Sequence, residues 1–272
     1  MIHHPAQPLA LAGFVLVASW TLAAQTPESR PIDPKVRQAM EVIALKESID
    51  VAKAKEAAGQ LREALAAYDA AVEKFGTHFA ANGGTAEAPI IQLYRSLIAD
   101  ADALAAKVET PEFEAKIAAR DLLSPDEQAL LGASSGSKWS RSDGAIVVEG
   151  LEVDRKIQGV VSWLPKKDVG WHDIVLDLEF TIVSGELDLF LRYWPDKRYY
   201  AIKFNEASGF EPGKRHRMTI RIRGSAITLA PLGEPSKSDK FAIMTSRIGG
   251  IGFGPTAGSK VTISKLTVKV LR

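Results

Sequence analysis

The sequence predicts two unlike parts in one chain: an N-terminal helical bundle followed by an antiparallel β-sandwich. Three observations predict this α plus all-β architecture. Apolar residues recur at helical spacing between Pro34 and Leu131. Past Lys138 they recur at every second residue, the period of a strand with one face on a core. Between the two regimes, Gly132-Ala-Ser-Ser-Gly-Ser137 has the composition of a flexible connector.

The chain opens with an apolar run, Leu9 to Ala24, that ends in small residues. It fits a secretory signal cleaved near Ala23 or Ala24, so that residues 1–24 are the expected signal peptide. Its leading segment, MIHHPAQP, lacks Lys and Arg, and an uncleaved membrane anchor is the alternative. The expected location is secreted or periplasmic, with no membrane contact once the signal is removed. Residues 25–33 are a Pro-containing linker.

Residues 34–131 form the helical part. Asp33-Pro34 supplies a cap followed by proline at the first helical position. Leu61, Ala64, Leu65, Tyr68, Ala71, Val72 and Phe75 fall on one stripe, which Gly76 is expected to stop. Ile90, Tyr94, Leu97, Ile98, Ala101, Leu104, Ala105 and Val108 form a second stripe. Thr110-Pro111 and Ser124-Pro125-Asp126-Glu127 start two short helices. Gly59 to Ala71 resembles the second half of a tetratricopeptide repeat, in which small residues let paired helices approach closely. A lone repeat does not make a solenoid, so the stripes read as core. A protein partner held by the helical part is the alternative.

Residues 138–272 form the sandwich. Ile174, Leu176, Leu178, Phe180 and Ile182 alternate with Asp177, Glu179 and Thr181. Leu187, Leu189 and Leu191 repeat the pattern after Ser184-Gly185, and Tyr200, Ile202 and Phe204 repeat it after Pro195-Asp196. The expected strands are 145–149, 157–164, 173–183, 186–193, 198–205, 216–223, 225–230, 247–253 and 260–270. In the last, the apolar parity switches between Ile263 and Leu266, which predicts a bulge near Ser264-Lys265.

The formal net charge of +1 argues against nucleic-acid binding. It conceals an asymmetry: residues 34–131 carry 11 basic against 16 acidic side chains, and residues 138–272 carry 22 against 15. Opposite signs favour docking of the two parts on each other, or two different partners. With no cysteine, disulfides, thiolate metal sites and a cysteine nucleophile are excluded. No nucleotide-binding loop, HExxH sequence or EF-hand occurs, and neither cofactor nor metal is expected.

Several segments in order resemble the 3-keto-disaccharide hydrolase domain family, a concanavalin A-like jelly roll, over nearly all of residues 138–272. Trp139 with Asp143-Gly144-Ala145-Ile146-Val147 is similar to its opening strand. Trp171 to Phe180, Leu189-Phe190-Leu191-Arg192, Tyr200 to Phe204, and Arg247-Ile248-Gly249 with Val261 to Leu271 are similar to later ones. The resemblance implies a jelly roll that takes a carbohydrate or modified disaccharide. This chain departs from the family pattern at Ala201 and Lys203, where Glu and Gln are usual. It also departs at Gly250-Ile251-Gly252-Phe253-Gly254, which lacks the closing histidine. Those departures imply weak or lost catalysis.

Strand parity places Asp177, Asp188, Phe190, Arg192, Ala201, Lys203 and Asn205 on one surface with Glu179. Glycoside cleavage needs two carboxyls, and Glu179 with Asp177 is the candidate pair, about 6.6 Å apart along the strand. Asp188, Phe190, Arg192, Lys203 and Asn205 are the candidate ligand-binding residues, polar groups around an apolar ring. Solvated strand faces carry such residues too. A row of Arg215, Arg217, Arg221 and Arg223 reads either as a solvated face or as a site for an acidic polymer. The function expected is an exported glycan-binding or glycoside-hydrolase-like protein. The alternative is a non-enzymatic envelope scaffold.

Overall fold

The computed structural model describes residues 34–81, 88–128, 131–151, 159–163, 170–193, 199–240 and 248–272. The expected signal peptide and the linker 25–33 lie outside them. Among the described residues no helix is long and apolar enough to cross a membrane.

Three long helices open the described chain: α1 (Pro34–Ala57), α2 (Leu61–Ala81) and α3 (Ala88–Val108). Leu45, Ile49 and Ala52 of α1 bury against Leu65, Tyr68 and Val72 of α2 and Tyr94, Leu97 and Leu104 of α3. The two stripes expected from the sequence supply the α2 and α3 sides of this core, apart from the exposed Leu61; the α1 residues were not among them. Two glycines act differently from expectation. Gly59 sits at the α1–α2 turn with φ +77° and open space around it, so it makes the turn rather than a close helix contact. Gly76 does not end α2. A Cβ there would lie 2.5 Å from the Tyr94 hydroxyl, which donates to the Val72 carbonyl at 3.1 Å. Gly76 makes room for α3.

The short helices α4 (Pro111–Lys116) and α5 (Pro125–Gln128) start where the caps predict. The Thr110 side chain accepts from the Phe113 amide at 3.3 Å. The expected boundary at residues 132–137 needs correction. β1 (Arg120–Asp121) already pairs with the last strand, and Leu122 and Leu123 lie in the sandwich core. β2 (Leu131–Ala133) and β3 (Ser137–Ser142) take up both ends of the supposed connector. A stretch of Gly and Ser can serve as an edge strand when a neighbour supplies the hydrogen bonds; here β2 pairs with β5 (Val161–Trp163).

The remaining strands are β4 (Ala145–Gly150), β6 (Ile174–Ser184), β7 (Leu187–Tyr193), β8 (Tyr200–Phe204), β9 (Arg215–Arg223), β10 (Ala226–Pro231), β11 (Lys237–Lys240), β12 (Gly250–Pro255) and β13 (Lys260–Val270). Among the described residues all pairings are antiparallel. The larger sheet runs β11-β10-β9-β6-β13-β4-β3, with β1 also on β13; the smaller runs β2-β5-β12-β7-β8. This two-sheet layout fits a jelly-roll sandwich. Its core joins Ile146, Leu176, Leu178 and Phe180 of the larger sheet to Leu187, Leu189, Phe204, Ile251 and Phe253 of the smaller. Burying each such side chain is worth about 1.5–3 kcal/mol. The register of β13 shifts between Ile263 and Lys265, where the parity switch placed a bulge.

Candidate functional site

The Ser184–Glu186 turn carries the chain from the larger sheet to the smaller. Every expectation of a surface shared by residues before and after it changes here. Asp177 and Glu179 lie on the outer face of β6, and Asp188 and Phe190 on β7, in the opposite sheet. The surface read from parity is therefore two surfaces, on opposite sides of the sandwich.

On the larger sheet, Glu179 stands between Arg217 of β9 and Lys265 of β13. Its carboxylate accepts from Arg215 Nε at 2.7 Å and from the Ser264 hydroxyl at 2.9 Å. Partial burial pushes its pKa up, but the Arg215 and Ser264 hydrogen bonds outweigh that and hold the group below the usual carboxylate range. Asp177 accepts from the Thr219 hydroxyl at 2.6 Å. An acid catalyst must keep its proton near neutrality, and Glu179 is tuned the other way. Of the arginine row, Arg215 serves Glu179, while Arg221 and Arg223 turn to the helical region.

On the smaller sheet the register sets Asp188 opposite Lys203 and Phe190 opposite Ala201. Glu186 accepts from the Asn205 amide at 3.1 Å and lies 3.4 Å from Lys203 Nζ. Hydrogen bonds from Asn205, then Lys203, hold Glu186 below the usual carboxylate range. Asn205 also caps the turn at Glu206–Ser208. Asp188, Phe190, Lys203 and Asn205 are thus brought to one face.

Arg192, expected on that face, is not there. The β7–β12 register shifts beside it, so Gly250 pairs with Tyr193 and Ile251 with Leu191. Arg192 is the bulged residue, with φ +52°, a left-handed conformation that costs a non-glycine residue about 1–2 kcal/mol. It is 2 % exposed and donates to Asp173 at 3.1 Å, to Gly224 O at 2.6 Å and to His172 O. The bulge moves Tyr193 onto the face in its place. Phe190, Tyr193 and Tyr199 then form a ring cluster with centroids 4.7–5.7 Å apart. Phe190 and Tyr193 are buried and Tyr199 is 42 % exposed. Gly252 beneath them carries no side chain; a Cβ there would approach Val160 Cγ1 at 2.8 Å.

Tyr199 is the residue sequence reading missed. The available signal was the aromatic density of Tyr193-Trp194 and Tyr199-Tyr200 around Pro195. Trp194 lies outside the described residues. Trp163 and Trp171 lie in the core, and His216 donates to the Glu211 carbonyl at 2.9 Å.

A second polar concentration joins the two regions. Asp173, 0 % exposed, accepts from Arg192, from the Gly224 amide at 2.9 Å and from Arg272. Arg272 also reaches Asp69 of α2 and lies 3.3 Å from Glu109, just past α3. Asp102 of α3 accepts from the Ser225 amide at 3.1 Å. Gly224, with φ +54°, is required there because a Cβ would meet Asp102 at 2.1 Å. Glu114 of α4 holds Arg221 at 3.0 Å and Arg223 at 2.9 Å. Burial opposes the Glu114 charge, yet those guanidiniums keep it below the usual range. Part of the charge asymmetry of the sequence is met here: Glu114, Asp69 and Glu109 of the helical region face Arg221, Arg223 and Arg272 of the sandwich. Among the described residues, no group of three or more His, Asp or Glu is placed to hold a metal ion.

No family model matches the chain, and no curated protein matches it. Solved structures do. A Bacillus subtilis protein of unknown function with a galectin-like fold is 13 % identical, with TM-score 0.42, covering 56 % of this chain and 94 % of its own. A Bacillus subtilis carbohydrate-binding module of family 66 is 11 % identical, with TM-score 0.40, covering 52 % and 95 %. A family 29 carbohydrate-binding module is 10 % identical, with TM-score 0.33, covering 51 % and 75 %. At this distance the likenesses carry no functional argument.

Proposed function

We propose that the protein binds carbohydrate on the outer face of the smaller sheet and does not cleave it. One observation carries this reading. The exposed Tyr199 ring is braced by Phe190 and Tyr193 and stands on the same face as Asp188, Lys203 and Asn205. Sugars are recognised by this combination, an apolar ring for the C–H face and charged or amide groups for the hydroxyls. The Glu179 and Asp177 carboxylates, on the opposite sheet and bonded to Arg215 and Thr219, stand outside the proposed site. The resemblance to 3-keto-disaccharide hydrolases makes a modified disaccharide the ligand to try first, and export of the protein belongs to the same proposal.

The test is titration of a panel of oligosaccharides and 3-keto-disaccharides. Tyr199→Ala is expected to weaken binding about tenfold, the worth of roughly 1.4 kcal/mol of ring contact. Glu179→Gln is expected to leave binding unchanged. A panel that shows no binding to the wild-type protein, or equal binding by Tyr199→Ala, overturns the reading.

A second reading, a non-enzymatic envelope scaffold with a protein partner, is favoured by one feature. Val36, Met40 and Ile43 are exposed at helical spacing along α1. It predicts no sugar binding at all.

A further inference from the structure

Where α2, α4 and the residues after β13 meet there is a cavity of 120 Å³. Leu65, Val108, Phe113 and Leu271 give it apolar walls, Arg62 lies over the Phe113 ring at 4.6 Å, and Glu109 completes the wall. Glu109 is 1 % exposed, and both its carboxyl oxygens are enclosed with no neighbouring donor bonded to them; the Asp173 carboxylate beside it can accept a hydrogen bond from Glu109 only when Glu109 holds its proton. Arg272 Nε, at 3.3 Å, is itself without a hydrogen bond. That guanidinium is shared with Asp69 and Asp173. A carboxylate so placed lacks the donors that normally offset the loss of water.

The other charged groups facing it come from every element packed around the junction. Asp173 precedes β6 and adds like charge, and Arg223 of β9 adds opposite charge but is held by Glu114. Asp69 of α2 lies behind Arg272, with His172 Nδ1 3.9 Å from it. Arg192 of β7 is engaged with Asp173.

We propose that Glu109 is a proton-operated latch between the helical region and the sandwich, closed when its carboxyl is neutral and loosened when it ionises. The geometry sets the direction: opening this junction returns Glu109 to water, where its charge costs nothing. Burial, then the Asp173 carboxylate, push the group from 4.5 up to about 8, with Arg272 pulling the other way. The docked state therefore holds a proton that the opened state releases. Closure is fully supported below the ordinary glutamate range, and that support is lost as pH rises through about 8.

Amide hydrogen exchange of the intact protein at pH 6 and pH 9, corrected for intrinsic rate, tests this. The opening constant for Ser225 and for residues 109–113 is expected to rise on the order of 100-fold in the wild type. Leu176 and Leu178 in β6 are expected not to follow. In Glu109→Gln, which is neutral at both pH values, the rise should vanish. A wild-type protein with no such rise, or a glutamine variant with the same rise, overturns the latch. The wild-type arm decides by itself should the variant not fold.

Discussion

Replacing Asp173 with alanine is expected to lower the stability of the protein by about 3–5 kcal/mol, the cost of removing one partner from a buried ion pair. The side chain is fully buried and answers two guanidiniums, Arg192 and Arg272, and one amide, Gly224. Neither arginine can follow water outward without dismantling its surroundings. Arg192 is fixed in a bulge with a left-handed backbone, and Arg272 is tied to Asp69. Asp173→Asn keeps an acceptor for Gly224 and should cost less. Urea unfolding of the two variants measures the difference. Equal stability of Asp173→Ala and wild type would mean that the cluster is hydrated and that the regions meet loosely.

Trp163→Ala is the second large effect, again about 3–5 kcal/mol, for loss of a buried aromatic side chain and the cavity left behind. Trp163 is 1 % exposed, meets Phe253 edge-on at 5.7 Å, and donates its indole N–H to the Leu122 carbonyl at 3.2 Å. It therefore joins the core of the smaller sheet to the segment that leaves the helices. Trp163→Phe keeps most of the volume but leaves that carbonyl unpaired, and is expected to lose about 1–3 kcal/mol. Denaturant midpoints of the two variants separate the packing contribution from the hydrogen bond.

What the sequence disclosed and what it withheld divide along a physical line. Period and parity are local, so the helix stripes of α2 and α3, the alternation in β6 to β8 and the bulge near Ser264 were legible. Gly76 was misread because its reason, the Tyr94 hydroxyl, comes from another helix. Gly132–Ser137 was misread because edge pairing of Gly132 and Ala133 with β5, and of Ser137 with β4, overrides weak strand propensity at its two ends. The candidate surface was split because Ser184-Gly185 shows that the chain turns, not that it crosses to the other sheet. Arg192 left the ligand face for a partner 19 residues away, Asp173, and parity had no means of seeing that pull. The same bulge brought Tyr193 to the ring cluster, so the error and the omission have one cause.

The location of the ligand face is the central claim. Backbone amide exchange with and without a saturating amount of the tightest-binding sugar of the panel tests it most directly. The account predicts new protection at Asp188–Phe190 and Tyr199–Lys203, with Asp177–Thr181 unchanged. Protection around Glu179 instead, with the smaller sheet unaltered, would contradict it.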